Sequence, residues 1–489
     1  LLAAAAPDVA ARPGGGSSFS GGSRSGSSSS RSSSGSRSGS SSGFSTSSSG
    51  FSSSSSGSSS SSSSGGGSVF GGIVFFLMIV IIIVVIAAMQ KGKGPAMPTQ
   101  PIYEARQSPP RRRIRELFGA DPYFSLVVFD DFVVAIYTEI RTRLGENQLP
   151  RMAAYLADHA PSQLQGQSLG GPVTNVIVGA ARLVNIQESN GSAIATIEIE
   201  SNLQAAGQAW YLREQWVLRR SLSAKSRSPE KARSFDCPSC GAPQGSVVGG
   251  RCNHCGQAVG NGAFDWAVVS AQIIEREQRG PMLTGNTVEQ GTDRPTIIDA
   301  ELNGRFADLR QRDPAFDDNA FQGRVNLVFT EFQTAWAARD LAKMRPWFTD
   351  AFFGVQKYWV DEYLRQHLRN VTENARILRL EWARVESDGY FDAITVRIFA
   401  TSLDYTLRDQ DNQIVSGNRS NERVYSEYWT FIRGRDAKGP ARVDKNCPKC
   451  GAPLDLEMAG TCKYCRTHIT TGTFDWVLSR IEQDDVYEG

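Results

Sequence analysis

The residues best able to do chemistry in this chain are eight cysteines, which fall into two quartets of one spacing. Cys237, Cys240, Cys252 and Cys255 form the first, and a shift of 210 positions gives Cys447, Cys450, Cys462 and Cys465. C-x2-C, eleven residues, C-x2-C is the spacing of a short zinc ribbon, in which two tight knuckles bring four thiolates to one tetrahedral ion at about 2.3 Å. Gly241, Ala242 and Pro243 follow the first knuckle, as Gly451, Ala452 and Pro453 do in the second quartet. A glycine there lets backbone amides turn toward sulfur. Four thiolates leave no open coordination position, so two Zn2+ ions are expected, both structural. A disulfide framework is the competing reading, but eight cysteines in 489 residues is far below the density of such scaffolds. His254 and His468 are then expected to face solvent rather than the metal. Binding of roughly 10–16 kcal/mol per ion would fold a module too small to hold itself.

Phe264, Asp265 and Trp266 recur as Phe474, Asp475 and Trp476 under the same shift. The apolar residues after them (Trp266, Val269, Ile273; Trp476, Val477, Ile481, Val486) suggest a closing helix that packs each ribbon onto its domain.

The repeat extends upstream. A shift of 192 carries Asp121, Pro122 and Phe124 onto Asp313, Pro314 and Phe316, and Thr138, Glu139 and Thr142 onto Thr330, Glu331 and Thr334. Phe321, Val325, Val328, Phe329, Phe332 and Trp336 trace one face of an amphipathic helix, and Phe129, Val133, Ile136, Tyr137, Ile140 and Leu144 do so in the first copy. Asp340 is placed to cap a short helix ending near Pro346, and residues 350–369 read as another. The period then changes to alternation, with hairpin turns at Ser189-Asn190-Gly191 and Ser387-Asp388-Gly389 and strands around Trp216 and Trp429. Helices followed by an antiparallel meander argue for α+β, with helices on one face of a curved sheet.

The front of the chain concerns location. Leu1 to Ala11 resemble the end of a signal peptide, and residues 12–68 form a Ser/Gly-rich tail that cannot bury a core. Residues 69–89 are apolar without one charge, roughly 30 Å of helix and enough to span a bilayer. Lys91, Lys93, Arg106, Arg111, Arg112, Arg113 and Arg115 follow, which places the C-terminal part in the cytoplasm. Arg111, Arg112, Arg113 and Arg115 are candidates for anionic headgroups, at about 1 kcal/mol each near the surface. The domains expected after this linker (90–114) are an α+β domain at 115–234, a ribbon and closing helix at 235–280, a linker at 281–299, a second α+β domain at 300–440 and its ribbon and helix at 441–489.

This order, with "FQTAWAARDLAKMRPWFTDAF" at 332–352 and "DAITVRIFATS" at 392–402, resembles the bacterial relatives of subunit forty-four of the mitochondrial inner-membrane import translocase. The match is strongest over 321–401 and weaker over 129–201. The resemblance implies two Tim-forty-four-like domains with the cone-shaped fold of nuclear transport factor two and an apolar pocket between helices and sheet. Trp347, Phe348, Phe352, Phe353, Tyr358 and Trp359 are the residues placed to line it in the second copy, and ordinary core packing accounts for them equally well. Two added ribbons and the absence of a chaperone-binding N-terminal region set this chain apart, so import is not carried over.

No nucleophile elbow, phosphate loop or dinucleotide fingerprint is present. The leading expectation is therefore a non-enzymatic scaffold on the bacterial inner membrane, binding membrane or cytoplasmic proteins, lipids or an apolar ligand. Its two domains pair within one chain or between copies. An isomerase or dehydratase using Asp361, Tyr363, His367 and Tyr405 is the alternative. Nucleic-acid binding through the ribbons is the third reading, and a net charge of only +2 argues against it.

Overall fold

A short strand, β1 (Tyr103–Ala105), and a helix, α1 (Pro109–Leu117), lead into the first unit. Prolines open α1, where a missing amide costs no hydrogen bond. The Ser125 hydroxyl then accepts the Val128 amide at 3.1 Å and starts the long helix α2 (Leu126–Gly145). Its expected stripe from Phe129 to Leu144 is buried. A 3-10 turn (Leu149–Tyr155) and a short helix, α3 (Ala160–Gln165), follow. Three strands come next: β2 (Val173–Ser189), β3 (Ser192–Ala205) and β4 (Gln208–Ser221). Asn190 and Gly191, at φ 49° and 70°, make the tight β2–β3 turn that the sequence signals.

The first cysteine quartet lies beyond β4, around the small hairpin of β5 (Val247–Val248) and β6 (Arg251–Cys252). The chain then returns to the sheet as β7 (Ala267–Glu277), giving the order β2-β3-β4-β7.

The second unit repeats the plan. A lead-in strand, β8 (Ile297–Asp299), precedes α4 (Leu302–Arg312), α5 (Asp318–Ala337) and α6 (Asp350–Arg365). Asp340 caps a short helix at Leu341–Met344, accepting the Lys343 amide at 3.1 Å. The sheet follows as β9 (Leu368–Ser387), β10 (Phe391–Arg408), β11 (Ile414–Gly417) and β12 (Arg423–Gly434). It is completed after the second ribbon by β13 (Val477–Gln483), which pairs antiparallel with β12.

Residues at matching places in the two units make the same contacts. The Ala157 amide donates to Val268 O at 2.9 Å, and the Thr349 amide to Leu478 O at 3.0 Å. Buried Arg220 meets Asp121 at 3.3 Å, and buried Arg433 meets Asp313 at 2.8 Å. In each pair the aspartate also takes a backbone amide, from Ser226 or Gly439. The two units pack together: Arg115 pairs with Glu386, Val127 rests on Ala393, Ile432 and Val477, and β1 pairs in parallel with β8.

One expectation is overturned. Neither ribbon is followed by a closing helix: both segments are strands, β7 and β13, so each ribbon is an insertion before the last strand of its sheet rather than a C-terminal appendix. The cause is a β-bulge in each strand. Val269 is an extra residue opposite Val217/Leu218, and Ser479 is extra opposite Thr430/Phe431. A bulge puts Val268 and Ala271, or Leu478 and Ile481, on one face at a spacing of three, which imitates a helix.

The computed structural model describes residues 103–105, 109–232, 234–280, 283, 291–484, 486, 487 and 489. The expected signal-peptide remnant, Ser/Gly tail and span at 69–89 lie outside these. Among the described residues no helix is long and apolar enough to cross a membrane.

Candidate metal centres and the seams beneath them

Each ribbon is two knuckles facing each other. In the first, the Gly241 amide closes on Cys237 O at 2.8 Å and the Gly256 amide on Cys252 O at 2.8 Å. In the second, Gly451 and Arg466 do the same to Cys447 and Cys462, at 2.9 Å each. Arg466 takes a left-handed φ of 60° where the first ribbon has Gly256 at 70°, a conformation that side chains disfavour. The knuckles bring all four sulfurs of each quartet within 4.8 Å of one another. Cys240 and Cys252 sulfurs are 3.8 Å apart, Cys447 and Cys465 3.9 Å, and Cys450 and Cys462 4.0 Å. A disulfide needs about 2.05 Å, whereas a tetrahedron of about 2.3 Å metal–sulfur bonds has edges of about 3.8 Å. Both clusters could therefore hold a metal ion, and zinc suits four thiolates. Electrostatics prepare them unevenly. The Cys255 amide pulls the Cys252 thiol down to about 6, and the Thr467 hydroxyl does the same for Cys465. Neither His254 nor His468 belongs to a cluster.

What lies beneath the two sites differs. Under the first ribbon Phe132, Tyr155 and Phe235 meet ring against ring, with centroids 5.4 to 6.3 Å apart. Cys237, Ala242, Val247, Cys252 and Val259 belong to the same apolar cluster as the domain core. The second ribbon keeps a small cluster of its own: Cys447, Leu456, Cys462 and Ile469. Its seam is polar. Arg345 donates to Met458 O at 2.8 Å and pairs with Asp350, which also takes Thr470 at 2.9 Å and faces His468 at 3.3 Å. Burial alone would raise the Asp350 carboxyl, but Arg345, Thr470 and His468 hold it below the usual carboxylate range. Arg324 donates to Trp476 O at 2.9 Å and to Arg442 O at 3.2 Å.

The Phe-Asp-Trp tripeptide is the joint between ribbon and strand. Trp266 and Trp476 are buried in the cores, and Asp265 and Asp475 each cap the following tryptophan amide at 2.8 Å. Asp475 also accepts the Arg442 amide at 3.1 Å, which clips the two necks of the ribbon together.

Residues 302–441 match the family model of the Tim44-like domain. The matched stretch runs from α4 to the neck of the second ribbon, and so omits β13, the strand that closes the sheet of this Tim44-like domain. No curated protein matches the chain.

Within the Tim44-like domain the six aromatics read as pocket-lining are 7% exposed or less and sit in its core cluster. Phe348 stacks edge-on with Phe332 at 4.8 Å and with Phe352 at 5.0 Å. Asp361 pairs with Lys357 on the outer face of α6, while Tyr363, two residues on, is buried. Tyr405 donates to Glu373 at 2.6 Å, and His367 sits at φ 55° in the turn after α6. These four do not gather on one face.

Sequence reasoning missed a polar core in the first unit. Glu214, fully buried, pairs with Arg141 and accepts Tyr137 and the Trp216 indole. Burial and then Glu214 push the Tyr137 phenol up. In the Tim44-like domain Gln333 and Phe329 stand where Arg141 and Tyr137 do, and Glu427 accepts the Trp429 indole at 3.0 Å and Gln483 at 2.9 Å. The repeated Glu-x-Trp was the available signal.

Two of the four arginines expected to meet headgroups turn inward. Arg111 pairs with Asp130 at 3.0 Å and Arg115 with Glu386, whereas Arg112 and Arg113 face solvent beside Glu116. Three basic side chains of the second ribbon are paired: Lys463 with Asp455, Arg466 with Glu457, and Lys445 with Glu331.

Proposed function

We propose that this chain is a membrane-tethered scaffold whose two α+β domains bind proteins, lipids or an apolar ligand and carry two structural Zn2+ ions. The Tim44-like domain at 302–441 carries this reading, since a binding role is what that domain suggests in general. The first unit serves as a second domain of the same kind; the shared contacts at Val268 and Leu478, and at Asp121 and Asp313, support it. The apolar stretch at 69–89 is the anchor in the bacterial inner membrane, and the basic residues after it put both domains on the cytoplasmic side. Arg112 and Arg113, which face solvent and share only the exposed Glu116, are the arginines that would meet anionic headgroups, because Arg111 and Arg115 are held by Asp130 and Glu386. The zinc ions have no catalytic part, each being closed by four thiolates.

Reconstitution tests this reading. The chain from residue 90 onward, loaded with zinc, should float with vesicles containing phosphatidylglycerol or capture a defined partner by proximity labelling in membranes. Binding neither would end the scaffold reading.

A further inference from the structure

Opening a protein seam costs about 25 cal/mol for each Å² of apolar surface that reaches water, while a polar seam exchanges its hydrogen bonds for water at little net cost. The two ribbons differ in this term. Separating the first would tear Cys237, Val247, Cys252 and Val259 out of the cluster they share with Phe132 and Trp266. The second has a cluster of its own, with Leu454 touching both it and the domain core. Between that ribbon and its domain lies a cavity lined by Arg324, Pro346, Asn446, Pro448, Leu454 and Ile469, among others.

We propose that the second ribbon is a hinged lid. Residues 446–469 swing away from the Tim44-like domain as one body that keeps its metal, and the first ribbon stays fixed. The motion rests on the zinc reading above but goes beyond it. Its pivot is the clip formed when Asp475 accepts the Arg442 and Trp476 amides, at 3.1 and 2.8 Å, which stays with the sheet.

The charges under the lid are provided for in both positions. When the ribbon lifts, Arg345 loses Met458 O but keeps Asp350 and Phe348 O on the domain side. Arg324 keeps the Trp476 carbonyl and its place over the Trp347 ring, 5.1 Å from the centroid. No buried charge is left without a partner, which is the usual obstacle to opening an ionic seam. The lifted lid presents two guanidiniums backed by aromatic rings.

Arginine-selective dicarbonyl labelling of the zinc-loaded chain, read by mass spectrometry, tests the motion without any substitution. Arg324 and Arg345, 5% and 1% exposed, are compared with Arg141 and Arg433, which are 1% exposed each but lie in domain interiors. The lid predicts that Arg324 and Arg345 react at least about ten-fold faster than the other two, because local opening outruns global unfolding. Zinc stays at two per chain throughout. Equal rates at all four arginines would overturn the proposal. So would fast labelling accompanied by zinc loss, since that would be ribbon unfolding rather than lid motion.

Discussion

Under the first ribbon lie Phe132, Tyr155 and Phe235; at the second, the positions related by the internal shifts hold Arg324 and Trp347, both buried, and Lys445, which is exposed and paired with Glu331. Ligand spacing, knuckles and the Phe-Asp-Trp joint are common to both, so the ion and its loops define the ribbon alone. How firmly a ribbon is attached is decided by other residues, on α2 or α5 and in the ribbon neck. Three rings there merge the first ribbon with the core, whereas Arg324 and Lys445 in place of two of them leave the second as a separate body.

The sharpest contrast comes from removing one buried ligand from each site. Cys252→Ser and Cys462→Ser should each cost one zinc equivalent, measured by elemental analysis. Only Cys252→Ser should also lower the main melting transition of its unit, because the collapse of that ribbon opens a shared core. Equal melting curves would break the comparison. Next in size, Phe132→Ala should destabilise the first unit by about 3–5 kcal/mol in denaturant titration. Arg324→Ala, at the matching place, should cost about 1–3 kcal/mol, the price of carbonyls left unpaired. Trp476→Ala should also cost about 3–5 kcal/mol, since the ring packs against Phe316 and Phe321 at 6.2 and 5.1 Å. It should still retain both metals, because Trp476 anchors β13 rather than the thiolates.

The smallest effect is on pH. The Asp350 carboxyl is held below its usual range in the folded chain, so its contribution is complete above an unfolded pKa of about 3.9 and fades as pH falls through the lower folded value. The stability of the second unit should therefore fall on acidification in that window, and the Asp350→Asn variant should show a smaller fall in parallel denaturant titrations. At the first ribbon the matching residue, Asp158, pairs on the surface with Arg219 instead, and Glu139 accepts Gln244 of the ribbon at 3.3 Å.

Much of this was legible in the chain. The stripes of α2 and α5, the Asp340 cap and both hairpin turns follow from short-range rules that tertiary packing reinforces. The cysteine spacing indicated the clusters because knuckle geometry is local. The last strands were misread because a bulge at Val269 or Ser479 shifts the apolar period from two to three. The separate attachment of the second ribbon was hidden for another reason. Arg324 and Arg345 look like surface residues on a helix and in a turn, and they become buried where the second ribbon and its neck fold against them. The inward turn of Arg111 and Arg115 was hidden likewise, since Asp130 and Glu386 are distant in sequence.

X-ray absorption at the zinc edge, combined with metal counting on the intact chain, tests the central claim most directly. Two zinc ions per chain, each with four sulfurs at about 2.3 Å and no nitrogen or oxygen ligand, is the predicted result. Fewer than two ions, a mixed ligand shell, or sulfurs bonded to one another would contradict it.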